Sequence, residues 1–235
     1  MKKERIWELD AFRGLCILGM IVIHLLYDFV HIAGFGIHTP DWLNFIGAYG
    51  HIFFILISGI CVTLANRSFK RGVIVFGAGL LVSYVTLFLD FVLGFTHLRI
   101  WFGILHLLGV CMMVYPILKK LPAWALAIFG AAFVALGFWL KTVTVSVDYL
   151  FPLGLCSGSI YAGSDFFPIF PGLGWFLIGA VIGKTVYKQK KSLLPGVNAA
   201  FPLLRGLRFI GRHSLDVYLV HQPVLFLLTL LIAGI

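Results

Sequence analysis

Asp10, Arg13 and His24 lie along the stretch ELDAFRGLCILGMIVIH, which runs from Glu8 to His24. The acid and the base are three residues apart, and the imidazole follows the arginine by eleven. On a helix Asp10 and Arg13 are i,i+3 neighbours, a spacing that predicts an ion pair. Eleven residues make three turns, so Arg13 and His24 share a face, about 16 Å apart along the axis. Asp28 and His31 extend that face by i+4 and i+7 from His24. An imidazole near neutrality can take a proton from a hydroxyl or amine, or attack an acyl group itself. Arginine suits phosphate. Residue by residue, a plainer reading stands beside this one: Asp10–Arg13 as an interfacial ion pair and His24 as a satisfied core histidine. The whole stripe argues for more, because each buried polar group in hydrocarbon is costly, ~3 kcal/mol for a charge.

Other segments carry similar stripes. Arg99 and His106 are seven residues apart in RIWFGILH, and the spacing predicts one helix face. Ser214, Tyr218 and His221 follow at i, i+4 and i+7 in SLDVYLVHQP, and Asp216 stands four residues after Arg212, placed to pair with it. His51 and Ser58 repeat the seven-residue spacing. Any one pair could be ordinary glue between membrane helices. Together, four helices present polar stripes able to converge on one cavity. His24, Asp28 and His31 have a spacing a metal would tolerate, but no zinc signature accompanies it, and no metal is assigned. The four cysteines include no CxxC, so neither a structural metal nor a disulfide is expected.

The elements that position these residues follow from composition. The chain has 235 residues, 61% hydrophobic and 11% charged, with mean hydropathy +1.04. A soluble domain carries about 25% charged residues. The expected fold is an all-α integral membrane protein, a bundle of about seven transmembrane helices forming one domain over residues 1–235. The expected spans are Phe12–Ile32, Leu43–Leu64, Val73–Phe95, Ile100–Leu118, Ala123–Leu140, Phe170–Val186 and Leu215–Ile235. Their all-round apolar character excludes a strand barrel. Met1–Arg5 reads as the positive flank of an uncleaved start-transfer helix.

With the N-terminus cytoplasmic and the C-terminus extracytoplasmic, nearly all lysines and arginines fall on the inner side, and only Arg99 and Lys141 on the outer. The formal charge of +9 is thereby explained without nucleic acid. Asp28, Asp41, Asp90, Asp148 and Asp165 fall on the outer side, as do His24, His31, His38, His51 and His97. The segment Thr142–Pro168 is the longest outer loop, either a lid over a substrate or an idle connection. Ser192–His213 interleaves arginines with apolar residues, which predicts an interfacial helix on the inner surface.

Two function classes accommodate a polar passage in such a bundle: a transporter, or an enzyme working inside the membrane. No internal repeat of the kind many transporters carry is visible. The motifs then point further. LDAFRGLCILGMIVIH, FFILISG, RIWFGILHLLGV, FPIFPGLGWFLIGAVIG and GRHSLDVYLVHQPV occur in this order. The chain resembles bacterial members of the heparan-α-glucosaminide N-acetyltransferase catalytic-domain family, within the transmembrane acyltransferase superfamily. The resemblance implies an acetyl-CoA-dependent N- or O-acetyltransferase of the bacterial inner membrane. It would move an acetyl or short acyl group from cytoplasmic acyl-CoA to a glycan or other extracytoplasmic acceptor, on a sugar amine or hydroxyl. The alternative is a small-solute transporter or lipid-handling membrane protein. Homodimers are common in such families.

By resemblance, His38, 21 residues before Gly59, matches the family's active histidine. It would act as general base or transient acyl carrier, with Asp28 or Asp41 orienting it. His24 matches a polar position at the outer end of the first span, one that is a histidine in related O-acyltransferases and is thought essential there. Which of His24, His31 and His38 is the base stays open at this point. Asp10, Arg13 and His221 match motif positions, and with Arg99, His106, Ser214 and Tyr218 they form the expected donor-binding set. The fourth-span motif departs from RxPGVLQR, since here RIWFGILH has no proline.

Overall fold

The computed structural model describes residues 5–94, 99–156, 165–197 and 201–234. Among the described residues eight α-helices follow one another: α1 (Trp7–His31), α2 (Asp41–Leu64), α3 (Ser68–Leu93), α4 (Ile104–Leu118), α5 (Ala123–Leu140), α6 (Ile169–Thr185), α7 (Pro202–Arg212) and α8 (Ser214–Ala233). A 3₁₀ turn, Phe151–Leu153, precedes α6, and the described residues include no strand. Each of the seven expected apolar segments becomes a helix. Five are long and apolar enough to cross a bilayer: α1, α2, α3, α5 and α8. The other two, α4 and α6, are apolar but shorter, with 15 and 17 residues. At 1.5 Å per residue they reach about 22 and 26 Å, against a hydrocarbon core of about 30 Å.

Large apolar side chains cover the outside of these helices. Phe91 is 88% exposed, Tyr84 70% and Trp124 68%. Water would not tolerate so much apolar surface, and lipid would. This is the surface of a multi-pass membrane protein. The expected inner-surface helix is shorter than its sequence window: α7 takes only Pro202–Arg212, and Ser192–Val197 is irregular. Its faces are strongly segregated, with Leu203 and Phe209 exposed alongside Arg205. His97, one of the expected outer histidines, and residues 157–164 of the longest loop lie outside the described residues.

The chain divides into two compact units, and the division falls inside α2. The first comprises Met1–Ile57 and Gln189–Ile235. Here α1 packs against both α7 and α8. The α1–α7 contact is backbone on backbone. A Cβ on Gly14 would run into the carbonyl oxygen of Leu207, and one on Gly211 would run into that of Asp10. Only glycine at both positions lets the helices approach this closely. Glu8, in the first turn of α1, accepts hydrogen bonds from Ser192 Oγ at 2.8 Å and the Leu193 N–H at 2.7 Å, which ties down the chain leading to α7.

The second unit is Ser58–Lys188. Here α3 packs on α4 and α5 on α6, around buried Leu107, Cys111, Leu126, Phe176 and Leu177. Lys184 near the end of α6 donates to the carbonyl oxygens of Lys119 (2.7 Å) and Leu121 (2.5 Å). It satisfies carbonyls that the end of α4 leaves without helical partners.

Candidate active site

The first and last sequence motifs meet along the seam where α1 faces α7 and α8. At its start, Arg212 Nε donates to Asp10 Oδ2 at 3.2 Å. Arg13 Nη1 donates to the Gly211 carbonyl at 3.5 Å. The i,i+3 spacing of Asp10 and Arg13 predicts that they pair with each other; instead each pairs across to the Gly211–Arg212 dipeptide. The cause is the glycine contact, which brings the end of α7 against the first turns of α1, so that Arg212 reaches the carboxylate first. Asp216 likewise does not pair back to Arg212. It accepts from His213 at 3.2 Å, while Arg212 is held by Asp10.

Further along α1, His24 Nδ1 stands 3.1 Å from His221 Nε2, and the ring centroids are 5.1 Å apart. His221 is buried, and its Nδ1 lies 2.5 Å from the carbonyl oxygen of Tyr218, one turn back on α8. Asp28, one turn beyond His24, is completely buried. Gln222 Nε2 donates to both of its carboxylate oxygens, at 3.0 and 3.1 Å. Two side chains one turn apart on α1 thus meet two consecutive side chains on α8. The buried Gln222 Oε1 and Thr229 Oγ1 have no hydrogen-bond partner among the described residues. The seam therefore offers two imidazoles in contact, a buried carboxylate one turn away, and guanidinium groups at the end where α1 begins.

Asp10, Arg13, His24, Asp28, Tyr218 and His221 come together here, with Ser214 half-buried at the start of α8. His31 is exposed at the end of α1, against the ring of Tyr27 at 4.3 Å. His38 stands exposed in the non-helical segment 34–40, and Asp41 is exposed at the start of α2. Neither Asp28 nor Asp41 is hydrogen-bonded to His38 among the described residues; the Asp28 carboxylate is taken by Gln222.

Arg99 and His106 belong to the second unit. Their seven-residue spacing predicts a shared helix face, but α4 begins only at Ile104. Gly103 caps that helix, so Arg99 precedes it. The Arg99 guanidinium donates from Nε to Asp90 Oδ2 at 2.7 Å. His106 is buried in the first turn of α4. Its Nδ1 accepts the Gly103 N–H at 3.1 Å, so its Nε2 carries the proton of the neutral ring and faces Ser83 Oγ at 3.5 Å. Phe102 stacks on the ring, and Phe76 meets it edge-on. These are the contacts of a residue that builds a helix N-terminus.

Sequence reasoning missed Gln222 and Gly211. Gln222 stands beside His221 in VHQP, and the signal for it was the matching polar pair His24 and Asp28 on α1. Gly211 opens the GRHSL motif as Gly14 closes LDAFRG, two glycines in motifs that prove to be in contact.

The sequence pattern of one protein family, described as heparan-alpha-glucosaminide N-acetyltransferase, catalytic, matches residues 5–223. The chain belongs to this family. The match begins just before α1 and ends just past His221 and Gln222, so it takes in every hydrogen-bonded pair of the seam. Membership makes the chain one of the heparan-α-glucosaminide N-acetyltransferase-like membrane acyltransferases, as the motif order implied. Neither the curated proteins nor the solved structures give a match to it.

Proposed function

We propose that the chain transfers an acetyl group from cytoplasmic acetyl-CoA to an amine or hydroxyl of an extracytoplasmic sugar, across the bacterial inner membrane, with His24 as general base. The observation that carries this is the 3.1 Å contact between His24 and His221, at the meeting of the two motifs that bracket the family match. The acceptor oxygen or nitrogen attacks the thioester carbonyl as His24 takes its proton. The C–S bond then breaks, and the same proton goes to the CoA thiolate. One imidazole serves both halves of the transfer, and the net reaction consumes no proton.

The other seam residues take roles that fit their places. Arg13 and Arg212 offer guanidinium groups for the CoA phosphates at the inner end, where the positive-inside pattern puts the cytoplasm. Asp28 places a carboxylate one turn from the imidazolium that forms on His24. This assignment needs all seven apolar helices to cross, and the lysine and arginine distribution supports that arrangement. It gives His38 no share in the proton transfer. It requires only one copy of the chain.

The test is acetyl-CoA turnover by the purified protein, with glucosamine as acceptor. His24→Ala should lose about 10²- to 10⁴-fold in kcat, the contribution of a positioned base. Thermal stabilisation by CoA should survive. Full turnover in His24→Ala would remove the residue from the chemistry, and loss of turnover in His38→Ala alone would transfer the role to the 34–40 segment.

A further inference from the structure

Sequence order places His221 in the donor-binding set; its geometry gives it a different task. We infer that His221 is a positioning residue, one that fixes the tautomer of His24 and aims its basic nitrogen. The inference rests on the proposed role of His24 as base.

A backbone carbonyl can accept and never donate. The 2.5 Å contact between His221 Nδ1 and the Tyr218 carbonyl therefore requires a proton on Nδ1. In the neutral ring that leaves Nε2 as an acceptor. His221 Nε2 faces His24 Nδ1 at 3.1 Å, so the proton of that bond belongs to His24 Nδ1. The remaining nitrogen of His24, Nε2, then carries the lone pair. His24 is half-buried, and its Nε2 has no hydrogen-bond partner among the described residues. The chain of two hydrogen bonds thus runs from a carbonyl that cannot change its role to a free basic nitrogen.

The same polarity governs the step itself. When His24 Nε2 takes the acceptor proton, the ring becomes an imidazolium whose Nδ1–H still donates to His221. The charge can be shared with His221 but cannot pass on to the Tyr218 carbonyl, which takes no proton. The proton is held for return to the CoA thiolate. The arrangement does for His24 Nδ1 what an orienting carboxylate does for other catalytic histidines, with a neutral imidazole in contact with the ring and the Asp28 carboxylate one turn away.

The backbone supplies the anchor. His221 and Tyr218 are three residues apart on α8, and Pro223 follows two residues after His221 within the same helix. Since proline brings no N–H to the ladder, this turn of α8 already departs from regular bonding. The side chain of His221 bonds the carbonyl at i−3, one residue before the Leu219 carbonyl that Pro223 leaves without its helical donor.

Two measurements test the inference. Nitrogen-15 spectra of histidine-labelled protein read tautomers directly. At neutral pH the His24 ring, identified by its loss in His24→Ala, should carry its proton on Nδ1. A proton on Nε2 would overturn the inference, whatever the activity. In His221→Leu the His24 signal should move to a mixture of tautomers, and kcat should fall at least about 10-fold while KM for acetyl-CoA stays within about twofold. His221→Gln keeps an acceptor oxygen facing His24 Nδ1 and should recover most of the lost kcat, which also shows that the leucine variant failed for want of an acceptor and not for want of a fold. A raised KM for acetyl-CoA with unchanged kcat in His221→Leu would return the residue to donor binding. Absence of turnover in the unmodified protein, with the expected spectrum, would count against the base assignment and leave the tautomer chain standing.

Discussion

Asp10 and Arg212 are separated by 202 residues in sequence and by 3.2 Å in the fold. Their ion pair closes the end of the seam at which α1 begins. The Asp10 side chain is only 11% exposed, so its carboxylate has little water to fall back on once the guanidinium is gone. Arg212→Gln should therefore lower stability by about 1–3 kcal/mol, read as a drop in Tm in detergent. Asp10→Asn should do the same. The double variant should lose less than the two singles together, because each single leaves a partner unpaired. Additive losses would mean that the pair is not coupled.

Two glycines set how closely the helices that carry this pair can approach. Gly14→Ala and Gly211→Ala each put a methyl group into a backbone carbonyl of the neighbouring helix. Overpacking of this kind costs about 1–3 kcal/mol and sometimes more. The expected outcome is a lower Tm together with lost turnover, since separation of α7 from α1 also moves Arg212. Gly206→Ala is the control on the same helix, where an added Cβ meets nothing within 4 Å. It should match the unmodified protein or slightly exceed it in stability, as alanine favours helix. If all three behave alike, the close approach is not what matters.

His24 and Asp28 lie at i and i+4 on α1, a spacing that sets their Cβ atoms about 6 Å apart. At an effective dielectric of about 20, a carboxylate at that distance stabilises an imidazolium by about 2–3 kcal/mol. If the carboxylate is ionised during turnover, Asp28→Asn should lower kcat by roughly 10²-fold. Asparagine is the same size and still meets Gln222, so Tm should change little. A Tm collapse with unaltered kcat per folded molecule would make Asp28 a packing residue. Gln222→Ala separates the roles in the opposite sense: it removes both hydrogen bonds to a buried carboxylate and should cost stability first.

How far the sequence could be read depended on whether a feature was local. The apolar runs are local, and all seven became helices, because a stretch that is apolar all round has few other places to go. The stripe of Arg13, His24 and Asp28 is also local, being fixed by helical period, and these side chains do share the seam. Partners were less legible. Asp10 with Arg13, and Asp216 with Arg212, are neighbours along one segment, yet both pairs lost to contacts made possible by the Gly14–Gly211 approach, which no spacing within a segment encodes. Arg99 and His106 failed for a different reason. Gly103 ends the irregular segment, and His106 caps α4, so a seven-residue spacing that straddles a helix start has no common face. Gln222 escaped notice because an amide beside a histidine looks unremarkable until a buried carboxylate is found opposite it.

His106 gives a prediction that separates architecture from donor binding. It is 2% exposed, accepts the Gly103 N–H and stacks on Phe102. His106→Ala should leave a cavity and an uncapped helix start, lowering stability by a few kcal/mol, about 3 from the lost ring and cap together. Measured on the folded fraction at low temperature, KM for acetyl-CoA should stay within about twofold. A KM raised tenfold or more with normal Tm would place CoA against α4.

Cys156 tests both the orientation and the chemistry of the long loop. It lies outside the helices, and burial first, then the nearby Asp148 carboxylate, pushes its thiol pKa above the ordinary cysteine value. A raised pKa means less thiolate at a given pH, and the thiolate is the reactive form. At pH 8, Cys156 should react more slowly with maleimide than a fully exposed cysteine, and the rate should rise as pH climbs toward the shifted value. Asp148→Asn removes the smaller of the two causes and should speed the reaction modestly without bringing it to the exposed-thiol rate. The proposed arrangement, in which α1 to α5 all cross, puts Cys156 and the N-terminus on opposite sides of the membrane. A membrane-impermeant maleimide added to intact spheroplasts should therefore label a variant retaining Cys156 as its sole cysteine. Labelling only after lysis would reverse the orientation on which the cytoplasmic donor and extracytoplasmic acceptor depend.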